Sequence, residues 1–187
     1  MKIARCRLKS VSPYSQSKHY DVPLKSKETK GDYEERTWRE RCNVDDSGHI
    51  VISPMAFANS LKSAAKYLGM KVPEKKGALY TKYFAAGVLV TEGITLPIKK
   101  DDVPGEWLFL PSDGQRGGGK RVMRCFPLIR EWAGEVTFYV LDDIITEPIF
   151  RQTLDYAGNI IGIGRFRPES QGYYGRFTVD QFSWTEE

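Results

Sequence analysis

The sequence predicts an α+β fold of the ferredoxin-like, RRM-type βαββαβ kind: an antiparallel sheet with two helices on one face and inserted loops or a hairpin. Three observations carry it. Residues 2–10 alternate, with Ala4, Cys6 and Leu8 on one side and Arg5, Arg7 and Lys9 on the other, the period of a half-buried strand. Two amphipathic stretches, about 54–68 and 146–157, have helical spacing. Stripped of insertions, the chain order is strand, helix, strand, strand, helix, strand.

The first strand is followed by a long aperiodic connection over 11–35, rich in Ser, Lys, Tyr and Pro. Connections of that length are usually functional or disordered. Thr37–Val44 and His49–Ile52 then flank Asp45-Asp46-Ser47-Gly48, a turn sequence, and predict a hairpin. Residues 11–52 together form an expected insertion, a thumb-like loop and hairpin. Ser53 and Pro54 suit an N-cap and first helical position. Ala58, Leu61, Ala65 and Leu68 line one helical face, Lys62 and Lys66 lie on the other, and Gly69 ends the helix. Tyr83–Thr91 reads as a strand, 97–105 as a charged loop and Glu106–Leu110 as a short strand. Residues 112–121 read as a flexible basic loop, and 122–126 and 136–141 as strands. The second helix carries Ile149, Phe150, Thr153, Leu154 and Ala157 inward and ends at Gly158, and a last strand covers about 174–182.

The 187 residues suit one domain, 1–187, with a sizeable core. A 41% hydrophobic and 12% aromatic content excludes a disordered chain. The +4 charge, from 28 basic and 24 acidic residues, is too modest to select a partner by itself. No segment approaches the roughly 18 apolar residues of a spanning helix, and MKIARCRLKS lacks the apolar run of a signal peptide. No membrane partner is expected. Cys6, Cys42 and Cys125 are odd in number and contain no CxxC, which argues against a disulfide framework or zinc site and fits a reducing cytoplasm. His19 and His49 alone do not make a metal site, so neither metal nor cofactor is expected.

The densest chemistry lies in 162–177. Gly162, Gly164, Gly172 and Gly175 are interleaved with Arg165, Arg167 and Arg176, and with Phe166, Tyr173, Tyr174 and Phe177. Glycines let backbone N–H groups approach phosphates, arginines neutralise them, and aromatic rings stack on bases. The alternative is a tight turn whose phenylalanines are core, and both readings stand on sequence. As a binding loop, it predicts exposed Arg165 and Arg167 that are removable at little cost in stability. The stretch is not a dinucleotide fingerprint, because a helix precedes it and a strand follows. Gly117-Gly118-Gly119-Lys120 lacks P-loop spacing. Arg116, Lys120 and Arg121 are a further basic group. Arg5, Arg7 and Lys9 offer a basic strand face to an anion, or simply a solvated face. Lys18, Lys25, Lys27 and Lys30, with Tyr14, His19 and Tyr20, make the first loop basic and aromatic.

Ile161-Gly162-Ile163-Gly164-Arg165-Phe166 and Gly172-Tyr173-Tyr174-Gly175-Arg176-Phe177, between second helix and last strand, resemble the C-terminal glycine-rich loop of the RAMP superfamily of CRISPR proteins. Ile50-Val51-Ile52-Ser53-Pro54, leading to Ser60-Leu61-Lys62-Ser63, is similar to the start of the first helix in that family's backbone subunits, with Ser63 in place of a glycine and Lys66 the nearest basic residue to the motif's arginine. The resemblance implies single-stranded RNA, such as a CRISPR guide RNA, as partner. It also implies a homo-oligomer or a subunit of a ribonucleoprotein that grips the sugar–phosphate chain. The contacts expected in this reading are Lys62, Lys66, Gly162, Gly164, Arg165, Arg167, Gly172, Tyr173, Gly175 and Arg176, joined by Arg5, Arg7 and Lys9 on the strength of the strand alternation and by Arg116, Lys120 and Arg121 on that of the basic loop.

Three functions follow from the same fold. The first is a non-catalytic RNA-binding backbone subunit. The second is a phage or plasmid protein acting by protein interaction or mimicry of a CRISPR subunit. The third is a metal-dependent ribonuclease, for which Asp21 or Asp32 would be the nearest loop carboxylates. No Ser/His/Asp or Cys/His pattern supports catalysis, and Asp45-Asp46 and Asp142-Asp143 are more simply a turn and a helix approach.

Overall fold

The computed structural model describes residues 1–73, 75–115, 117 and 119–186. Strand β1 (Lys2–Ser10) buries Ala4, Cys6 and Leu8 and exposes Arg5, Arg7 and Lys9, as the alternation requires. Two-residue β2 (Tyr14–Ser15) follows, then α1 (Lys30–Thr37), a 3₁₀ turn (Trp38–Arg41) and β3 (His49–Ile52). Helix α2 (Pro54–Leu68) starts at Ser53, whose hydroxyl accepts the Met55 N–H, and stops at left-handed Gly69. Helix α3 (Thr81–Gly87) runs into β4 (Val88–Leu89). Strands β5 (Ile94–Lys99), β6 (Gly105–Pro111), β7 (Arg121–Ile129) and β8 (Ala133–Val140) come next. Helix α4 (Glu147–Tyr156) continues as a π turn (Ala157–Ile161), and β9 (Phe177–Glu186) completes the chain.

The main sheet has the order β4-β8-β1-β9, antiparallel throughout. With α2 and α4 packed together, it is the ferredoxin-like βαββαβ unit. Phe150 of α4 is fully buried and meets Phe84, Phe138, Phe182 and Trp184 at ring-centroid distances of 5.3–6.4 Å. The two insertions, between β1 and α2 and between β4 and β8, build two accessory sheets, β2-β7-β6 and β3-β5.

Five sequence expectations are corrected. The hairpin strand expected over 37–44 is instead the end of α1 and the 3₁₀ turn, and only Val44 bridges to Ile50. Trp38, Arg41 and Cys42 are buried at helical, not alternating, spacing. Helix α1 itself lies in the segment read as aperiodic, because its buried residues, Glu34 and Thr37, are polar. Of the strand expected over Tyr83–Thr91, residues 83–87 are instead the end of α3, with Phe84 stacked on Phe150 at 6.3 Å, and only Val88–Leu89 is strand; a short apolar run does not distinguish the two states. The loop expected over 97–105 includes the end of β5. Finally, Gly158 does not end the second helix. A Cβ there would overlap the Phe177 carbonyl oxygen, so the π turn passes close beneath β9 and ends at Gly162.

A buried ion cluster fixes the first insertion against the second. Glu34 of α1 is 2% exposed and accepts from Arg41 at 2.7 and 3.2 Å, from Arg124 of β7 at 3.1 Å, and from the Cys125 N–H at 2.8 Å. Burial opposes its ionisation, but Arg41, the Cys125 amide and Arg124 outweigh burial and hold the carboxyl below its ordinary 4.5. A depressed folded-state value contributes stability that is complete above the ordinary value and lost as pH falls through the depressed one. Glu34→Gln should therefore cost about 3 kcal/mol at pH 7, and the gap from wild type should narrow as pH falls below 4.5. Urea unfolding across that range measures both.

Candidate nucleic-acid interface

The glycine-rich segment leaves the π turn at Gly162 and folds on itself. Ile163 N–H donates to the Gly175 carbonyl at 3.0 Å, Tyr174 N–H to Phe166 at 3.0 Å and Gly172 N–H to Arg167 at 3.0 Å. It is also stitched to the stretch around β2. Arg165 N–H donates to the Ser15 carbonyl at 2.9 Å and Gly175 N–H to Pro13 at 2.7 Å. Two glycines make this arrangement possible, one against the β2 stretch and one within the loop's own fold. Gly164 has φ +76°, and a Cβ there would lie 2.5 Å from both the Ser15 carbonyl oxygen and the Tyr14 ring. Gly175 has φ +73°, and its Cβ would overlap the Ile163 carbonyl oxygen. At both positions the backbone approaches protein. Cβ atoms at Gly162 and Gly172 would likewise meet Pro168 and Phe166.

Between this loop, the first turn of α2 and residues 14–18 lies a cavity of about 450 Å³. Gly162–Arg165 and Arg167 form one wall. Ser53, Met55, Ala56 and Asn59 of the α2 start form another, and Gln16, Lys18 and Asn43 close it. The Gln16 amide donates to the Val51 carbonyl at 2.7 Å and accepts from Asn43 N–H at 2.8 Å, so it holds the walls together. The N-terminus of a long helix carries partial positive charge and suits an anion. Lys18 is exposed at the rim.

The predicted cations divide by environment. Arg165 is not exposed. Its side chain is 15% accessible, pairs with Glu106 of β6 at 3.2 Å, donates to Ser15 Oγ at 3.2 Å and lies 3.9 Å over the Phe126 ring. Burial lowers its pKa, with Glu106 opposing. The expectation of an exposed, dispensable Arg165 is corrected: it fastens the loop to β6. Tyr174 joins it, donating to Glu106 at 2.6 Å; burial, then the Glu106 bond, pushes its hydroxyl upward. Arg167 is half-exposed, paired with Glu169 at 2.9 Å and donating to the Gly164 carbonyl at 3.1 Å. Burial opposes ionisation of Glu169, but Ser63 and Lys66 of α2 together with Arg167 outweigh it and hold the carboxyl below its usual range, so charge on α2 and on the loop meet there. Arg176 and Tyr173 are exposed on the loop, and Lys62 and Lys66 on α2.

Lys120 and Arg121 are exposed at the start of β7, while Arg116 lies outside the described residues. The main-sheet face is mixed in charge. Arg7 is directly across from Glu135 and 3.6 Å from Asp180, whereas Arg5 faces Thr137 and Ser183. Glu106, Gln16 and Asn43 were not singled out from sequence; each is an isolated polar residue without periodicity.

Burial pushes the thiols of Cys6 to about 12 and of Cys42 and Cys125 to about 11, which keeps them protonated and poor nucleophiles. Asp32 caps α1 in a reciprocal pair with Thr29. Asp45 accepts the Ser47 and His49 N–H groups within its turn. Among the described residues no three His, Cys, Asp or Glu side chains converge as a metal-ligand set.

No protein-family model matches the chain, and no curated protein does. Solved structures do. A chain of a Type III-B Cmr-beta complex bound to cognate target RNA superposes with a TM-score of 0.56 at 11% identity, over 98% of this chain; this protein spans only 60% of that chain's length. Cmr6 from Pyrococcus furiosus superposes with a TM-score of 0.51 at 14% identity, over 96% of this chain and 99% of Cmr6. At such identities the likeness is one of fold, and the fold is the α+β, ferredoxin-like one that the order of elements predicts.

Two comparisons test the loop. Gly175→Ala should cost about 3 kcal/mol or more, whereas Gly114→Ala, at the same φ of +73° but with open space around it, should cost about 1 kcal/mol. Arg165→Ala should cost about 2 kcal/mol, and exposed Arg176→Ala should stay within about 0.5 kcal/mol. Chemical denaturation of the four variants checks both rankings.

Proposed function

We propose that this protein is a non-catalytic, single-stranded RNA-binding subunit that packs against copies of itself or related subunits in a ribonucleoprotein, with guide RNA of the CRISPR type as its partner. One observation carries the reading: the start of α2 and the backbone of the glycine-rich loop face each other across a cavity with Lys18 and Arg167 on its walls. A helix N-terminus, closely approaching backbone and two cations suit a phosphate chain, not a particular base. Lys62, Lys66, Tyr173 and Arg176 extend the surface from the cavity. Arg5, Lys9, Lys120 and Arg121 are outlying contacts in this reading, and Arg116 belongs to it by sequence alone. The fold likeness to subunits of an RNA-bound Cmr assembly supports it.

A second reading has its own observation. Trp107, Phe109 and Met123 of β6 and β7 are 45–58% exposed, and Phe109 lies directly across from Met123. An exposed apolar strip of this kind suits a protein partner. In the first reading it is where the neighbouring subunit packs; in the second it is the whole function.

Fluorescence anisotropy with single-stranded RNA distinguishes them. Binding should be clear at about 50 mM salt and fall with a log–log slope of about 0.7 per phosphate contact. Lys18→Ala with Arg167→Ala should weaken all sequences alike, with melting changed little, because Lys18 is exposed and Arg167 makes only a surface pair with Glu169 and one bond to a loop carbonyl. No binding at low salt would leave the protein-interaction reading.

A further inference from the structure

A second cavity, of about 450 Å³, opens beside the first and shares Ser17 and Lys18 with it. Its size is that of small-ligand sites, roughly 300–1,000 Å³. Lys18, His19, Tyr20, Tyr33, Arg41 and Arg124 line it. We infer that this pocket is a nucleotide subsite, which takes one phosphate and its base from a strand continuing out of the cavity beneath α2. The inference rests on the RNA-binding reading and places the next nucleotide of that strand.

The charge is prearranged. Lys18, Arg41 and Arg124 bring three cations to the pocket, and the carboxylate between the arginines, Glu34, is already saturated. One Glu34 oxygen takes Arg41 and the Cys125 N–H, and the other takes Arg41 and Arg124. A positive surplus therefore faces the pocket. Arg124 is 39% exposed and has donors left for a ligand. Lys18 is held in place by its N–H, which donates to the Arg41 carbonyl at 3.0 Å.

The aromatic walls are fixed as well. Tyr20 shares a 3.1 Å hydrogen bond with Thr37, and Tyr33 donates to the Val22 carbonyl at 2.7 Å. With their hydroxyls tied, these residues offer ring surface, and His19 is exposed beside them. Cations next to anchored rings suit a phosphate bearing a base, since every base has a stacking face. An acidic peptide would use the charge and leave the rings idle.

The test uses the full chain with a fluorescein-labelled uridine dinucleotide and octanucleotide. Arg124→Gln and His19→Ala should each weaken the octanucleotide roughly tenfold, one stacked or phosphate contact's worth, and leave the dinucleotide, which fills the first cavity, unchanged. A 4-thiouridine octanucleotide should crosslink to the peptide containing Tyr20 or Tyr33, a readout that holds even if Arg124→Gln fails to fold. Wild-type binding of both RNAs with no octanucleotide loss in His19→Ala and no such crosslink would overturn the subsite and spare the first cavity. Equal losses for both lengths would reduce the pocket to a general field and overturn it too. Displacement of the octanucleotide from the pocket by a poly-glutamate peptide at equal affinity would reassign it to an acidic protein segment. Wild type that binds neither RNA would overturn the function and the subsite together.

Discussion

The architecture depends on one close approach of backbone to backbone. The loop after α4 lies against residues 13–15 through the Arg165-to-Ser15 and Gly175-to-Pro13 hydrogen bonds; this needs a bare Cα at Gly164 against Ser15 and Tyr14, and one at Gly175 so that the loop can fold back on Ile163. Everything peculiar to this chain follows from that contact. It anchors the first insertion to the ferredoxin-like unit, sets the far wall of the α2 cavity, and leads the chain into β9 at the register that covers β1. Side-chain packing alone does not specify it, because glycines contribute no area; its stability comes from paired backbone groups in a buried place, where unpaired ones are costly.

The second anchor is ionic. Glu34, Arg41 and Arg124 unite α1, the 3₁₀ turn and β7, and Arg165 with Glu106 and Tyr174 does the same for the glycine-rich loop and β6. The first cluster joins the two insertions, and the second joins the glycine-rich loop to the second insertion. The main sheet and its helices close over an apolar interior of Leu8, Phe57, Phe138 and Phe150. Buried ion pairs add less net stability than apolar packing but tolerate few alternative arrangements. That division suits a molecule whose common fold is decorated by segments that must sit in one place.

What sequence disclosed and what it hid follow the same division. β1, α2 and α4 were legible because their buried residues are apolar and periodic, and the order of elements gave the sheet. Helix α1 was not legible, because the residues it buries are Glu34 and Thr37. Residues 83–87 of the expected strand were misread because an apolar run of that length fits either period. At the site, the glycine-rich loop was conspicuous by composition. Its glycines nonetheless meet protein backbone at least as much as they face the cavity, and Arg165 is spent on Glu106. Partnership between residues far apart in sequence, such as Arg165 with Glu106 or Glu34 with Arg124, leaves no local pattern to read.

The order of the main sheet has a consequence for how the chain is made. Of the four strands of that sheet β1 is made before the others, yet it is an inner strand, and both its neighbours, β8 and β9, are made after the two insertions. Lys2 pairs with Glu186. Such distant pairing means high contact order and slow closure. During synthesis β1 waits with both edges unpaired, and its native sheet cannot assemble until β8 and β9 have been made. The alternating arginines and lysine on β1 give that waiting strand charge, a recognised protection against mispairing with other nascent chains.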